Sequence, residues 1–149
     1  MSRIYKPLLA SYSFSMSNSL PSIKRELSEI SLGDKHSFRT SISEQDIDQF
    51  AKLSGDFNPL HMSSEFARRR GFRSRVVHGS YLNALVSRMV GMFLPGENAL
   101  IQQMQLIFRT PVYAGDTVEL SAVVSRLSES VNSMVVDIKI SVLENQETN

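Results

Sequence analysis

Apolar residues follow two rhythms along this chain. From Gly79 onward, Leu82, Leu85, Val86, Met89, Val90 and Phe93 recur at intervals of three and four, which puts them on one broad face of a helix. Pro95-Gly96 ends that run. From Leu100 the period becomes two: Leu100, Met104, Leu106 and Phe108 interleave with Ile101, Gln103, Gln105 and Ile107, predicting a strand. A connection from Arg109 to Gly115 contains Pro111. Val118, Leu120, Ala122 and Val124 then predict a second strand, and Val136, Ile138, Ile140 and Val142 a third, with a turn near Ser128 to Ser133 between them. Helices followed by antiparallel strands predict an α+β domain with one sheet packed on the long helix.

The first half carries weaker signals with sharper ends. Leu32-Gly33-Asp34 reads as a turn and Lys35 to Thr40 as a short strand. Ser43 has the chemistry of an N-cap, and Glu44, Gln45 and Asp46 follow where negative charge suits the helix dipole. Ile47, Phe50, Ala51 and Ser54 keep helical spacing, and Gly55 is the stop. Ser63 or Ser64 caps a second short helix, which closes on Arg68-Arg69-Arg70 and Gly71. Between the two helices, Pro59 fixes its own φ and pushes Asn58 toward an extended conformation. Ser54 to His61 is therefore expected to be loop.

A length of 149 residues fits one domain that buries about two-thirds of its unfolded-chain surface. The net charge of +1 argues against nucleic acid as the main partner. Without cysteine there is no disulfide framework and no thiolate metal site. That composition fits a reducing compartment, and a cytoplasmic location is expected. No apolar run approaches the length of a membrane span, and there is no secretory h-region. The first 25 residues hold Arg3, Lys6, Lys24 and Arg25, no acid, and seven serines through Ser22. Residues 1–29 are expected to form a flexible N-terminal extension, with a mitochondrial transit segment as the alternative reading. Residues 30–149 are expected to form the domain, with a frayed tail from Glu144.

Two patches carry candidate chemistry. The first is Ser54-Gly55-Asp56-Phe57-Asn58-Pro59-Leu60-His61, with an acid and an imidazole five residues apart. Fully extended, those five residues span roughly 17 Å; a bend brings the two side chains together. The second is Val76-Val77-His78-Gly79-Ser80 at the start of the long helix. A helix N-terminus presents unpaired N–H groups and partial positive charge, and glycine there allows close approach to the backbone. An acid, an imidazole and an N–H cradle are what proton transfer beside a carbonyl requires. The competing readings are turn chemistry at Asp56, a surface histidine at His61, and structural roles for His78 and His36. Asp56, His61 and His78 also match metal-ligand types, but no ligand spacing supports such a site, and no metal is expected.

The run from Asp56 to His61, preceded by Leu53-Ser54-Gly55 and followed by Ala67, resembles the signature of the MaoC-like, (R)-specific enoyl-CoA hydratases. That family pattern is glycine-aspartate-x-asparagine-proline-aliphatic-histidine. Val77-His78-Gly79 and Phe108-x-x-Pro111-Val112-x-x-Gly115-Asp116 agree with it, so the resemblance covers about residues 30 to 143. It implies a hot-dog fold, a long helix wrapped by an antiparallel sheet, assembled as a homodimer or larger. It implies that Asp56 and His61 are the catalytic pair, that the Gly79 N–H meets the thioester oxygen, and that Asn58 and Ser87 support the pair. No cofactor is implied beyond coenzyme A as part of the substrate. The resemblance also implies one more strand after Val142, where this sequence has no alternating pattern.

The expected activity is reversible hydration of a trans-2-enoyl-CoA to the (R)-3-hydroxyacyl-CoA. The nearest alternative is a dehydratase acting on 3-hydroxyacyl chains held by acyl carrier protein; a relative that binds ligand without turnover is another. Arg68, Arg69, Arg70, Arg73 and Arg75 read equally as a docking patch for coenzyme A phosphates and as a solvated face. A rival of another class is a DNA-binding helix-turn-helix made of Ser43 to Ser54 and the arginine-bearing helix. Pro59 lengthens its turn, and the downstream strands have no place in that motif.

Overall fold

The protein is described by a computed structural model covering residues 21–143. Three strands, β1 (Lys35–Ser41), β2 (Thr117–Ser128) and β3 (Ser133–Leu143), form one antiparallel sheet in the order β1-β2-β3. Between β1 and β2 the chain forms four helices: α1 (Glu44–Ser54), α2 (Pro59–Met62), α3 (Ser64–Arg69) and α4 (Gly79–Met92). Phe38 opposes Leu120, which in turn opposes Ile140, so alternate residues of all three strands share one face.

That face meets α4. Leu82, Leu85 and Met89 of the helix join Val118, Leu120, Ala122 and Val124 of β2 in one buried cluster. The expected β2 face and most of the expected helical face form the core; Val136, Ile138 and Ile140 of β3 are partly buried against it, and Val142 is exposed. Ile42 and Ile47 are fully buried in the same cluster and tie the start of α1 to it. His36 stacks on Phe93 at 4.6 Å and is structural. Asn132 takes left-handed backbone angles in the turn before β3, where the sequence places the turn.

One expectation is corrected. Residues 100–109 have no regular structure and are exposed throughout, with Leu100 at 84% and Ile107 at 68%. A strand exists only through ladder bonds to a neighbour, and residues 100–109 pair with none of β1, β2 and β3. Apolar residues also fall in both alternating sets of this segment, so no single face demands burial. Residues 21–29, the described part of the expected extension, lie against the far end of α4. The Ile23 N–H donates to Met92 O at 2.9 Å, and the Glu97 N–H donates to Ile23 O at 3.0 Å. Arg25 pairs with Asp34 at 3.2 Å. The rest of the expected extension and the tail from Glu144 lie outside the described residues.

Leu120 sits at the centre of the sheet with no exposure, whereas Leu53 is 84% exposed. Leu120→Ala is expected to cost about 2–5 kcal/mol of unfolding free energy. Leu53→Ala is expected to stay within about 0.5 kcal/mol. Denaturant unfolding of both variants measures the difference.

Candidate active site

The loop that carries the acid begins at a well-defined helix end. Ser43 caps α1 in a reciprocal capping box with Asp46. At the other end, Gly55 adopts φ +76°, a left-handed conformation that residues with a Cβ rarely take, while its N–H still bonds Ala51 O at 2.8 Å. The chain reverses there and presents Asp56. One carboxylate oxygen of Asp56 accepts the Asn58 N–H at 3.1 Å, and Asn58 Oδ1 accepts the Leu60 N–H at 2.9 Å. Asn58 is thus the N-cap of α2, and its bond to Asp56 runs through its backbone N–H. The expectation that this stretch contains no helix is corrected: Pro59 starts a four-residue helix, and His61 is its third residue. Proline suits that first position because its missing N–H has no helical partner to lose. This added helix also separates α1 from α3, so the two do not form a helix-turn-helix.

A strap of residues 75–78 holds His61 from the other side. His61 Nδ1 lies 2.7 Å from Val76 O, and the Val76 N–H donates to Leu60 O at 3.2 Å. A carbonyl only accepts, so Nδ1 carries the proton and the neutral ring keeps a bare Nε2. Arg75 Nε donates to His61 O at 2.6 Å, while its guanidinium bonds Asp48 and lies 3.6 Å from Glu44. The strap is pinned behind by Val77 N–H to Val112 O at 2.8 Å and Ala114 N–H to Arg75 O at 3.2 Å.

Arg75 therefore departs from the expected docking patch: it is only 7% exposed and locks α1 to α2. Its sequence signal was the pair Glu44 and Asp48, one helical turn apart on α1 and in need of a cation. Arg73 is paired with Asp116 and lies over the Tyr113 ring at 4.5 Å. Arg68, Arg69 and Arg70 remain exposed on and just after α3. Arg69 pairs with Glu65, and Arg70 covers Phe66 at 5.3 Å.

Asp56, His61 and His78 converge. One carboxylate oxygen and one nitrogen from each ring lie within 4.8 Å of one another. The donor types of these three would also suit a metal ion. Asp56 is half-exposed, so its carboxylate faces solvent while the histidines lie behind it. The Tyr81 phenol meets Phe50 edge-on at 5.8 Å; burial, then the Asp46 carboxylate, push its pKa above the ordinary tyrosine value, with Arg88 opposing.

Gly79 is the first residue of α4, where the N–H has no partner within the helix. A Cβ added there would come within 2.9 Å of the Phe108 ring. The close approach anticipated for a substrate is thus made, in the free protein, by Phe108. Ser87 stands on the exposed side of α4, and no hydrogen bond joins it to Asp56 or His61.

The MaoC like domain model matches residues 29–146 of this chain. A 3-hydroxybutyryl-CoA dehydratase of Methylorubrum extorquens is 38% identical over 99 residues, which are 66% of this chain and 63% of that protein. An (R)-specific enoyl-CoA hydratase of Rhodospirillum rubrum is 37% identical over 66% of this chain and 69% of its own length. Among solved structures, the (R)-hydratase from A. caviae superposes with a TM-score of 0.73 at 32% identity, covering 76% of this chain and 86% of that one. The match spans the acid loop, the strap, α4 and the sheet together, and so this chain belongs to the MaoC-like domain family and has its hot-dog fold.

Proposed function

We propose that this protein adds water reversibly across the double bond of a trans-2-enoyl-CoA, giving the (R)-3-hydroxyacyl-CoA. The observation that carries this reading is the approach of the Asp56 carboxylate to the His61 ring within 4.8 Å, with His61 Nε2 left as an acceptor. The names of the family's hydratase and dehydratase members support the same chemistry. Water sits between the pair. Asp56 takes one proton as the oxygen adds to C3, and His61 Nε2 orients the water by accepting from the O–H that stays. The pair returns the proton to C2, so neither residue changes its net protonation. As the thioester oxygen gains charge, the Gly79 N–H donates to it. Coenzyme A enters as part of the substrate, and no metal or redox group takes part.

The exposed arginines Arg68, Arg69 and Arg70 are the proposed contact for coenzyme A phosphates, since guanidinium forks suit phosphate oxygens. The protein works as a homodimer in this reading. What supports that is the run Leu100, Ile101, Met104, Leu106, Ile107 and Phe108, six apolar residues exposed within nine positions of the chain. A cytoplasmic location completes the reading, with a mitochondrial one as the alternative, as for the mitochondrial 3-hydroxyacyl-[acyl-carrier-protein] dehydratase of Arabidopsis thaliana.

Loss of the conjugated-thioester absorbance, measured on trans-2-enoyl-CoAs of increasing length with chiral analysis of the product, tests the activity. The parent is expected to give the (R)-alcohol, and Asp56→Asn to lose about 10²- to 10⁴-fold in kcat while unfolding at the parent temperature. Parent-level turnover by Asp56→Asn would sink the mechanism, and faster turnover of carrier-protein thioesters would move the substrate to that class. Replacing Arg68 and Arg70 together by alanine is expected to raise KM for the coenzyme A thioester about tenfold. The same pair of changes should leave KM unchanged on a pantetheine thioester that lacks the nucleotide phosphates. Light scattering should give twice the chain mass of 16.7 kDa, and Ile107→Lys should shift the protein toward the single-chain mass.

A further inference from the structure

His78 has no part in the hydration steps above, yet it touches every part of the site. Its ring is 2% exposed. One face stacks on His61 with ring centroids 3.9 Å apart and an interplanar angle of 27°. Phe50 of α1 packs against the same ring at 5.1 Å and 55°. His78 Nε2 lies 2.9 Å from the backbone carbonyl of Asp56. Because that carbonyl can only accept, Nε2 carries the proton, and in the neutral ring Nδ1 is bare. Nδ1 has no hydrogen-bond partner among the described residues. The His78 carbonyl accepts from Tyr81 N–H at 3.0 Å and Leu82 N–H at 3.3 Å, which makes His78 the N-cap of α4, one residue before Gly79.

Building on the hydratase reading, we propose that His78 is the positioning residue of the reaction. As the Nε2–H tautomer it holds the Asp56 backbone, and its ring backs the His61 imidazole, so acid and imidazole keep a fixed separation. The backbone of the same residue starts the helix that presents the Gly79 N–H, which puts all three reacting groups in one frame. Arg75 ties α1 to α2 from the strap; His78 differs in contacting both members of the pair, Asp56 by a directed hydrogen bond and His61 by a stacked ring. A displacement of about 1 Å between reacting groups is enough to cost roughly 100-fold in rate.

Two substitutions separate the donor from the ring. His78→Phe keeps an aromatic surface for His61 and removes the N–H, whereas His78→Gln keeps an N–H at nearly the same reach and discards only the ring and the unpartnered Nδ1. The expected result for His78→Phe is a kcat lowered by about 10- to 100-fold, with KM for the enoyl thioester within about twofold to threefold of the parent, since the ring touches no substrate. His78→Gln is expected to recover part of the lost kcat. Long-range ¹⁵N–¹H spectra of the parent should show His78 as the Nε2–H tautomer and His61 as the Nδ1–H tautomer. Parent kcat in His78→Phe would overturn the inference. So would a parent spectrum with the proton on His78 Nδ1, a readout that needs neither folded variants nor turnover. A parent that hydrates no thioester but shows both expected tautomers would overturn the hydratase reading and leave the positioning of Asp56 and His61 standing.

Discussion

The arrangement rests on one buried cation. Arg75 reaches across three segments at once: its guanidinium binds Asp48 on α1, its Nε donates to the carbonyl of His61 on α2, and its own carbonyl accepts from Ala114 ahead of β2. A charge taken from water is costly unless it is paired and its donors are satisfied. Here the carboxylate partner stays partly exposed, so only one member of the pair bears the full cost of burial. The return is geometric. A four-residue helix cannot hold itself together in water, and α2 carries His61 only because the strap fastens its carbonyl, its ring and its Leu60 carbonyl from outside.

How much of this was legible depended on how local the cause was. Ser43 and Gly55 bound α1 where the sequence puts the cap and the stop, because both act through neighbouring backbone groups. The face of α4 and the buried face of β2 were legible for the same reason, since periodicity reports burial directly. Asp56 and His61 were legible as a pair, and their meeting follows from the turn that Gly55, Asp56 and Asn58 build. Pro59 misled: its missing N–H marks a break or a beginning, and the choice depends on Asn58 capping the turn. Arg75 misled further, because a run of arginines looks like one surface, and only the fold shows which member faces inward.

The segment from Leu100 to Phe108 is the opposite case. Its alternation is genuine, but pairing is a property of two strands, and a sequence shows only one. Left unpaired, it still reaches the site, because Phe108 lies against Gly79. The Gly79 end of the candidate site and a segment without ladder bonds are therefore in contact. The acid and imidazole end, by contrast, is tied by hydrogen bonds to the α2 turn, the strap and His78.

The order of the chain has a further effect. The Arg39–Glu119 contact that joins β1 to β2 spans 80 residues, and everything from α1 to α4 lies inside that loop. Contacts within the acid loop and strap link residues much closer together, so forming them closes short loops at small entropic cost, while the sheet must close a long one. The acid loop and the strap are thus joined to each other by contacts of short span, and the strap's bonds to Val112 and Ala114 couple that unit to the chain entering β2.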